Sequence, residues 1–309
     1  MKAAIIGLAG PVLSPAEAAL LAAERPVGAI LFRRNVETPA QLAALTSQIR
    51  AILGATAPIL VDQEGGRVAR LRPPHWAEHP PAASHEGQPA AQVADAARRL
   101  AQDCVALGLD VICAPCLDLR LPGAHAVIGD RAFSADPAEV ARLGGAWIAG
   151  LQAAGAIPVI KHIPGHGRAQ ADSHEALPVV TETEAALAAD IAPFRAVAAA
   201  GAWAMTAHIL YTAWDVERPA TLSPTIIDRV IRGAIGFDGV LISDDLAMRA
   251  LSGAPGALAE AAIGAGCDLA LHCTGVLAET AALLAGCPTL TRAAETRIMV
   301  ARDQRRAAA

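Results

Sequence analysis

One complete unit of the pattern that predicts the fold lies in residues 136–162, DPAEVARLGGAWIAGLQAAGAIPVIKH. Asp136 precedes Pro137, so a side chain that can cap a helix stands before a first-turn proline. The alanine-rich stretch 137–153 then has helical spacing. Residues 157–160 are apolar at consecutive rather than alternate positions, which indicates that 157–162 form a parallel strand buried on both faces. The segment therefore predicts a helix that leads into a buried strand.

The same alternation runs along the whole chain. Short apolar runs predict eight strands, at residues 3–9, 27–32, 57–62, 109–115, 157–162, 202–208, 239–244 and 268–272. Stretches with helical spacing lie between them, at residues 15–24, 39–53, 91–107, 137–153, 182–199, 224–235 and 257–265. Three more Ser/Thr-Pro pairs, starting at Ser14, Thr38 and Ser223, predict capped helix starts.

Eight strand–helix units predict an all-parallel sheet, and eight is the number of strands that closes into a barrel. We therefore expect an α/β protein with one (β/α)8 TIM-type barrel over residues 1–309. No Ser/Gly linker or shift in composition divides the chain. A doubly wound open sheet would call for a G-x-G-x-x-G motif after the first strand, and residues 7–12, GLAGPV, depart from it.

Composition excludes several classes of partner. The chain of 309 residues is 54% hydrophobic with a formal net charge of -5, so a basic surface for nucleic acid is not expected. No apolar run approaches the roughly 18 residues of a membrane span. Cys113 and Cys116 form a C-x-x-C pair inside an apolar run, which favours buried thiols over zinc or redox chemistry. We expect a cytoplasmic protein that is a monomer or a weak homo-oligomer.

Polar residues collect where the predicted strands end. They occur in VDQEGGRVAR (61–70), IGDRAF (128–133), KHIPGHG (161–167), ADSHEALP (171–178) and ISDDLAM (242–248). The segments expected at the opposite end of the barrel carry few ionisable groups. Because active sites of such barrels lie at the carboxyl ends of the strands, this asymmetry predicts an enzyme.

Asp244 follows a short apolar run and should project from the tip of its strand, where a carboxylate can act as nucleophile, base or metal ligand. Its neighbour Asp245 is better suited to a structural role such as capping the next turn. Asp172 and His174 lie on a loop that begins at Gly165. A carboxylate two residues from a histidine can hold one ring nitrogen, which suits the pair to general acid/base catalysis.

Lys161 and His162 are adjacent on a strand, so we expect one to point inward and the other toward the site or a neighbouring strand. His166, between two glycines, could contact a ligand or brace its loop. Asp62, Arg70 and Arg131 stand at strand tips and are suited to hydrogen-bonding a polyhydroxylated ligand. Two further expectations concern structure: an ion pair between Arg67 and Asp130, and His208 as a rim histidine with its hydrogen bonds satisfied.

The five motifs together resemble those of the bacterial glycoside hydrolase family 3 β-N-acetylhexosaminidases, in particular the single-domain cytoplasmic enzymes of peptidoglycan recycling. The resemblance implies removal of a terminal β-linked N-acetylglucosamine with retention of configuration. Asp244 would be the nucleophile, and His174 the acid/base with Asp172 as its partner. The residues that match sugar-binding positions are Asp62, Arg70, Arg131, Lys161 and His162.

The substrate implied by the resemblance is a small amino-sugar compound, N-acetylglucosaminyl-1,6-anhydro-N-acetylmuramic acid with or without its peptide. No cofactor and no metal are implied. Two other classes remain open from the residues alone. One is a metal-dependent barrel hydrolase with His162, His166, His174 and Asp244 as ligands. The other is a non-catalytic sugar-binding protein, which would need Asp62 and Arg131 but not both Asp244 and His174.

Overall fold

A computed structural model describes residues 1–308, with the side chains of residues 1–305. Its strands are β1 (Lys2–Gly7), β2 (Pro26–Leu31), β3 (Ile59–Val61), β4 (Val111–Ile112), β5 (Ile157–Ile163), β6 (Val179–Val180), β7 (Trp203–Thr206), β8 (Leu210–Tyr211), β9 (Leu241–Asp245) and β10 (Leu269–His272). Eight of them form a closed barrel in the order β1-β10-β9-β7-β5-β4-β3-β2, with every pairing parallel. The predicted barrel is confirmed, and each of the eight apolar runs overlaps one of its strands.

The helices are α1 (Pro15–Glu24), α2 (Pro39–Leu53), α3 (Ala90–Val105), α4 (Pro137–Ala153), α5 (Glu184–Ala196), α6 (Pro255–Ala265), α7 (Leu277–Gly286) and α8 (Arg292–Ala308). The stretch 224–235 forms a π-helix, Ile226–Ala234, rather than an α-helix, and Ile235 N donates to the carbonyl five residues back. The two-residue strands β6 and β8 pair outside the barrel, and they are too short to give a periodic signal. No helix in residues 1–308 has the length and apolar character needed to cross a membrane.

Local capping chemistry starts four of the predicted helices. Ser14, Thr38 and Asp136 each accept a hydrogen bond from a backbone N–H in the first turn of the following helix. The hydroxyl of Ser223 likewise accepts from Ile226 N at 3.1 Å. These side chains satisfy donors that a helix leaves unpaired at its start, so the four helix starts follow from local sequence.

The amino-terminal end of the barrel carries more charge than the sequence suggests, which corrects the expectation of few ionisable groups there. Asp110 accepts from Ile59 N on the neighbouring strand and pairs with Arg50 and Arg305. Asp268 repeats this arrangement, with Leu241 N, Arg232 and Arg297 as its donors. Both carboxylates are buried and paired, so they tie helices to the barrel.

Candidate active site

A cavity of about 190 Å³ opens among the carboxyl ends of the strands. Seven of the eight predicted site residues line it: Asp62, Arg70, Arg131, Lys161, His162, His174 and Asp244. The eighth, Asp172, lies on the same loop as His174 and accepts a hydrogen bond from its ring. The side chains come from loops and strand ends spread from β3 to β9, so barrel closure brings together residues that are distant in sequence.

The floor of the cavity is a buried ion network. Lys161 Nζ lies 2.9 Å from Asp62 Oδ1 and 2.6 Å from Glu64 Oε1. Arg70 Nη2 lies 3.0 Å from Asp62 Oδ2. Arg131 donates to the Glu64 carboxylate through Nε and Nη2, each at 2.9 Å. Three cations and two carboxylates thus share one site, which leaves an excess of hydrogen-bond donors for a ligand rich in oxygen.

The two carboxylates of this network are held ionised by their cations. Burial by itself would raise the pKa of Asp62, but Lys161 and Arg70 bring it well below its usual value. For Glu64 the same opposition, with Arg131 and Lys161 as the cations, lowers the pKa to about 2. Sequence reasoning missed Glu64. Its position in the strand-end motif two residues after Asp62 was the available signal, but only the fold shows that Arg131 reaches it.

Lys161 and His162 both line the cavity, although adjacent residues of a regular strand point to opposite faces. The peptide bond between them is cis, and the register of β5 against β7 shifts between Lys161 and Ile163. A regular strand alternates its side chains between faces, and the register shift interrupts that alternation here.

Asp118 holds His162 in place and is the second residue that sequence reasoning missed. Its carboxylate is fully buried and lies 2.7 Å from His162 Nδ1. It also accepts from His162 N at 3.2 Å, from His166 N at 2.6 Å and from Cys116 Sγ at 3.1 Å. Because a carboxylate only accepts, Nδ1 of His162 carries the proton, and in the neutral ring Nε2 is the acceptor.

The bracing role of His166 is confirmed, and the residue also lies at the cavity. It lines the cavity, and its backbone N–H braces the loop against Asp118. Its ring packs edge-on to that of His162 with centroids 5.5 Å apart. Burial lowers the pKa of His166 to about 4, so the ring is neutral at pH 7. Its buried Nδ1 has no hydrogen-bond partner within the described residues.

Asp172 and His174 form the predicted pair. Asp172 Oδ1 lies 2.8 Å from His174 Nδ1 and accepts the backbone N–H of His174 at 2.9 Å. The His174 side chain is 68% exposed. Burial opposes ionisation of Asp172, but the hydrogen bonds from His174 bring the pKa of Asp172 below its usual value. The ionised carboxylate places the proton on Nδ1, and Nε2 is left to exchange a proton with a ligand.

Asp244 stands at the end of β9 with its carboxylate in the cavity. Its Oδ1 accepts from Asp245 N at 2.8 Å. Burial acts to raise the pKa of Asp244, but nearby His208, His162 and Lys161 keep it below its usual value. A carboxylate ionised in this position can attack an electrophilic carbon.

Three structural predictions near the site are confirmed. Asp245 accepts from Ala247 N and Cys273 N, each at 3.0 Å, so it braces the loop that follows β9. His208 is buried with both ring nitrogens bonded, to Thr221 Oγ1 at 2.7 Å and to the Asp245 carbonyl at 3.0 Å. Arg67 and Asp130 pair at 2.9 Å.

One group of side chains within residues 1–305 has three metal-ligand atoms close together: Cys116, Asp118 and His162, with the atoms within 4.8 Å of one another. Asp118 and His162 already use these atoms in hydrogen bonds to each other and to backbone N–H groups. Burial also raises the pKa of the Cys116 thiol well above its usual value. The four ligands suggested for a metal-dependent hydrolase do not form such a group within those residues.

A closed parallel barrel whose carboxyl end holds an ionised carboxylate, a carboxylate–histidine pair and a cationic floor defines a (β/α)8 barrel enzyme. The comparisons with known proteins agree with this class. The family model described as "Glycosyl hydrolase family 3 N terminal domain" matches residues 12–305. The chain belongs to glycosyl hydrolase family 3.

Similar proteins carry more specific names. The chain is 43% identical over 280 residues to the "Beta-hexosaminidase" of Alkalilimnicola ehrlichii, covering 87% of this chain and 80% of that protein. It resembles NagZ from Neisseria gonorrhoeae with a TM-score of 0.88 at 33% identity, covering 99% of this chain and 92% of that one. A family 3 β-N-acetylglucosaminidase from Paenibacillus sp. gives a TM-score of 0.89 at 34% identity, and this chain covers 62% of it. The resemblance to family 3 β-N-acetylhexosaminidases is confirmed, and with it the prediction of a glycoside hydrolase.

Proposed function

We propose that this chain is a retaining β-N-acetylglucosaminidase that removes the terminal N-acetylglucosamine from N-acetylglucosaminyl-1,6-anhydro-N-acetylmuramic acid, with or without its peptide, in the recycling of peptidoglycan. The observation that carries the proposal is that Asp244 and His174, the latter bonded to Asp172, line one cavity. The names of its similar proteins support the choice of sugar.

The reaction takes two steps. In the first, an Asp244 oxygen bonds to the anomeric carbon while His174 gives its Nε2 proton to the departing glycosidic oxygen. In the second, neutral His174 takes a proton from water, the water oxygen bonds to the anomeric carbon, and the bond to Asp244 breaks. Two inversions at the same carbon give retention. Asp172 stabilises the imidazolium form of His174 whenever the ring holds both protons.

The terminal sugar would bind through the cationic floor. Lys161, Arg131 and Arg70 present N–H donors, and Asp62 and Glu64 accept hydrogen bonds from hydroxyl groups. Among the described residues that line the cavity, Phe32 is the only aromatic residue apart from the histidines. Recognition therefore rests on hydrogen bonds more than on stacking. A cavity of about 190 Å³ suits a single sugar rather than a long glycan.

We also propose that the enzyme works in the cytoplasm on a small substrate. All six cysteines are free, and five of them are buried. Free thiols are typical of a reducing compartment. The Cys113–Cys116 pair belongs to this set, which agrees with the interpretation of both as packing residues.

The first experiment measures release of nitrophenol from 4-nitrophenyl N-acetyl-β-glucosaminide, with a chelator present throughout. We expect turnover by the wild type and a loss of about 10³-fold or more in Asp244→Asn, because the nucleophile is removed. His174→Ala should lose more activity on substrates with poor leaving groups than on the aryl glycoside, since the poor leaving group needs the proton.

Five outcomes would overturn parts of the proposal. Near-wild-type turnover by Asp244→Asn would remove the nucleophile assignment, and equal losses of His174→Ala on both kinds of substrate would remove the acid. Activity that disappears with the chelator would favour the metal-dependent hydrolase, whereas sugar binding without turnover would favour the binding protein. Inertness towards the anhydro-disaccharide, with the aryl substrate still hydrolysed, would reject the peptidoglycan substrate alone.

A further inference from the structure

The loop that carries Asp172 and His174 starts at Gly165 and is tied to three neighbouring segments by backbone groups. Tyr211 Oη donates to the carbonyl of Gly165 at 2.6 Å. His125 N donates to the carbonyl of Ala169 at 3.0 Å, and Ala250 N to that of Ser173 at 3.1 Å. Each of these contacts fixes the loop at one backbone carbonyl.

Arg168 adds a side-chain tie at the base of the loop. Its Nε lies 2.6 Å from Asp190 Oδ2, and its Nη2 donates to the carbonyl of Ala186 at 3.2 Å. Both partners belong to α5, outside the cavity. The Asp190 side chain is 3% exposed and that of Arg168 22%, so this ion pair is largely screened from water. A pair in such a position has a defined geometry, unlike an exposed pair.

Asp190 also packs against the first residue of the loop. Gly165 has a φ of +136°, and a Cβ placed there would lie 2.9 Å from the Cβ of Asp190. The second carboxylate oxygen of Asp190, Oδ1, is buried and has no hydrogen-bond partner within the described residues. Arg168 is therefore the cation that compensates a buried charge directly beneath the point where the loop begins, and its loss would leave that charge unpaired.

One of the backbone ties reaches the dyad directly, because Ser173, whose carbonyl accepts from Ala250 N, lies between Asp172 and His174. His174 has most of its side chain in solvent, and its ring bonds to Asp172 on the same loop. The position of the ring relative to Asp244 thus depends on the path of the loop, and Arg168 lies four residues before Asp172 on that path. A displacement of about 1 Å in a reacting group can lower a rate by about 10²-fold.

We infer that the Arg168–Asp190 pair is the anchor that sets the position of the acid/base dyad, which makes Arg168 a positioning residue for protonation of the leaving group. The inference rests on the proposed function, because it needs His174 to be the acid. Arg168 itself touches no substrate. Its effect should therefore fall on kcat and on the demand for acid assistance, while binding of the terminal sugar to the cationic floor is preserved.

The test compares Arg168→Gln, the conservative Arg168→Lys and a matched control, Arg195→Gln. Arg195 is on the same helix and donates through Nε to the carbonyl of Ala234 at 2.9 Å. For Arg168→Gln we expect kcat on a disaccharide with a poor leaving group to fall by about 10- to 100-fold, with KM within about threefold. The loss on the aryl glycoside should be smaller, Arg168→Lys should recover part of the activity, and Arg195→Gln should match the wild type on both.

A second measurement does not need activity. Glu175 is exposed on the loop, so a glutamate-specific protease can cleave after it. Cleavage should be faster in Arg168→Gln than in the wild type or in Arg195→Gln, because the loop leaves its folded path more often.

The inference fails if Arg168→Gln equals the wild type in both assays, or if it loses activity equally on both substrates. It also fails if Arg195→Gln behaves in the same way as Arg168→Gln. If the wild type hydrolyses neither substrate, the proposed function fails instead. Cleavage at Glu175 would then still decide whether Arg168 anchors the loop, and an unchanged cleavage rate would reject the anchor.

Discussion

Replacing Asp118 by asparagine is expected to lower activity by disturbing His162 and His166, although Asp118 is not among the residues that line the cavity. The carboxylate accepts from His162 Nδ1 at 2.7 Å, from His166 N at 2.6 Å and from His162 N at 3.2 Å. Asparagine has the same shape but offers one oxygen instead of two. If that oxygen keeps the backbone N–H groups, the amide NH₂ faces the Nδ1–H of His162, and two donors oppose each other.

The magnitude follows from the bond that is lost. A hydrogen bond to a charged group contributes about 1.5–3 kcal/mol, and a buried donor left without an acceptor costs about 1–3 kcal/mol more. His162 can escape only by moving its proton to Nε2, which lies 3.4 Å from the donor Nη2 of Arg131. With Asp118 fully buried, we expect a total of about 3 kcal/mol. That corresponds to about a 10²-fold loss of kcat/KM if it is expressed in the transition state.

The assay measures kcat/KM on the aryl glycoside together with the free energy of unfolding in urea. The matched control is Cys116→Ala, which removes the thiol donor 3.1 Å from Asp118 but leaves the carboxylate intact. Its loss should stay below about 1 kcal/mol, since a thiol is a weak donor. A kcat/KM for Asp118→Asn within threefold of wild type and an unchanged unfolding free energy would refute the reasoning, as would equal effects of the two substitutions.

Three further predictions concern pH, packing and charge. Burial lowers the pKa of His166 from 6.5 to about 4. Between about pH 6.5 and pH 4, His166 is therefore protonated in the unfolded chain but neutral in the native state. Stability should fall by about 3 kcal/mol from this group as pH drops from 7 to 4, and urea unfolding of His166→Leu should show a pH slope smaller by about one proton. Gly150→Ala places a Cβ 2.1 Å from the backbone oxygen of Ala94 between α4 and α3 and should cost about 3 kcal/mol in thermal or urea unfolding. Gly264→Ala, with nothing within 4 Å of its new Cβ, should be neutral or stabilising by up to about 1 kcal/mol, and similar losses for both would contradict the packing argument. Glu64→Gln leaves Arg131 and Lys161 with one buried carboxylate fewer, so we expect KM to rise by about tenfold or more and stability to fall by about 3 kcal/mol; unchanged KM and urea midpoint would contradict this.

The barrel and most of its helices could be predicted from the sequence because their causes are local. A short apolar run buried on both faces forms a parallel strand wherever it stands, and a Ser or Asp before a proline starts a helix through its own side chain, as at Ser14 and Asp136. The strand-end position of Asp62 and Asp244 follows from the same pattern. So does the local Asp172–His174 contact, since its partners are two residues apart.

Which side chains contact one another across the barrel follows from the closed fold alone. Glu64 and Asp118 look like ordinary acidic residues in the sequence, yet each organises part of the site through partners at least 44 positions away. Lys161 and His162 both line the cavity at a register shift against a neighbouring strand, and the Arg168–Asp190 pair depends on where α5 packs. Sequence periodicity reports the face that a residue presents within its own element. Distances between elements arise only when the sheet closes, and the electrostatics of this site depends on those distances.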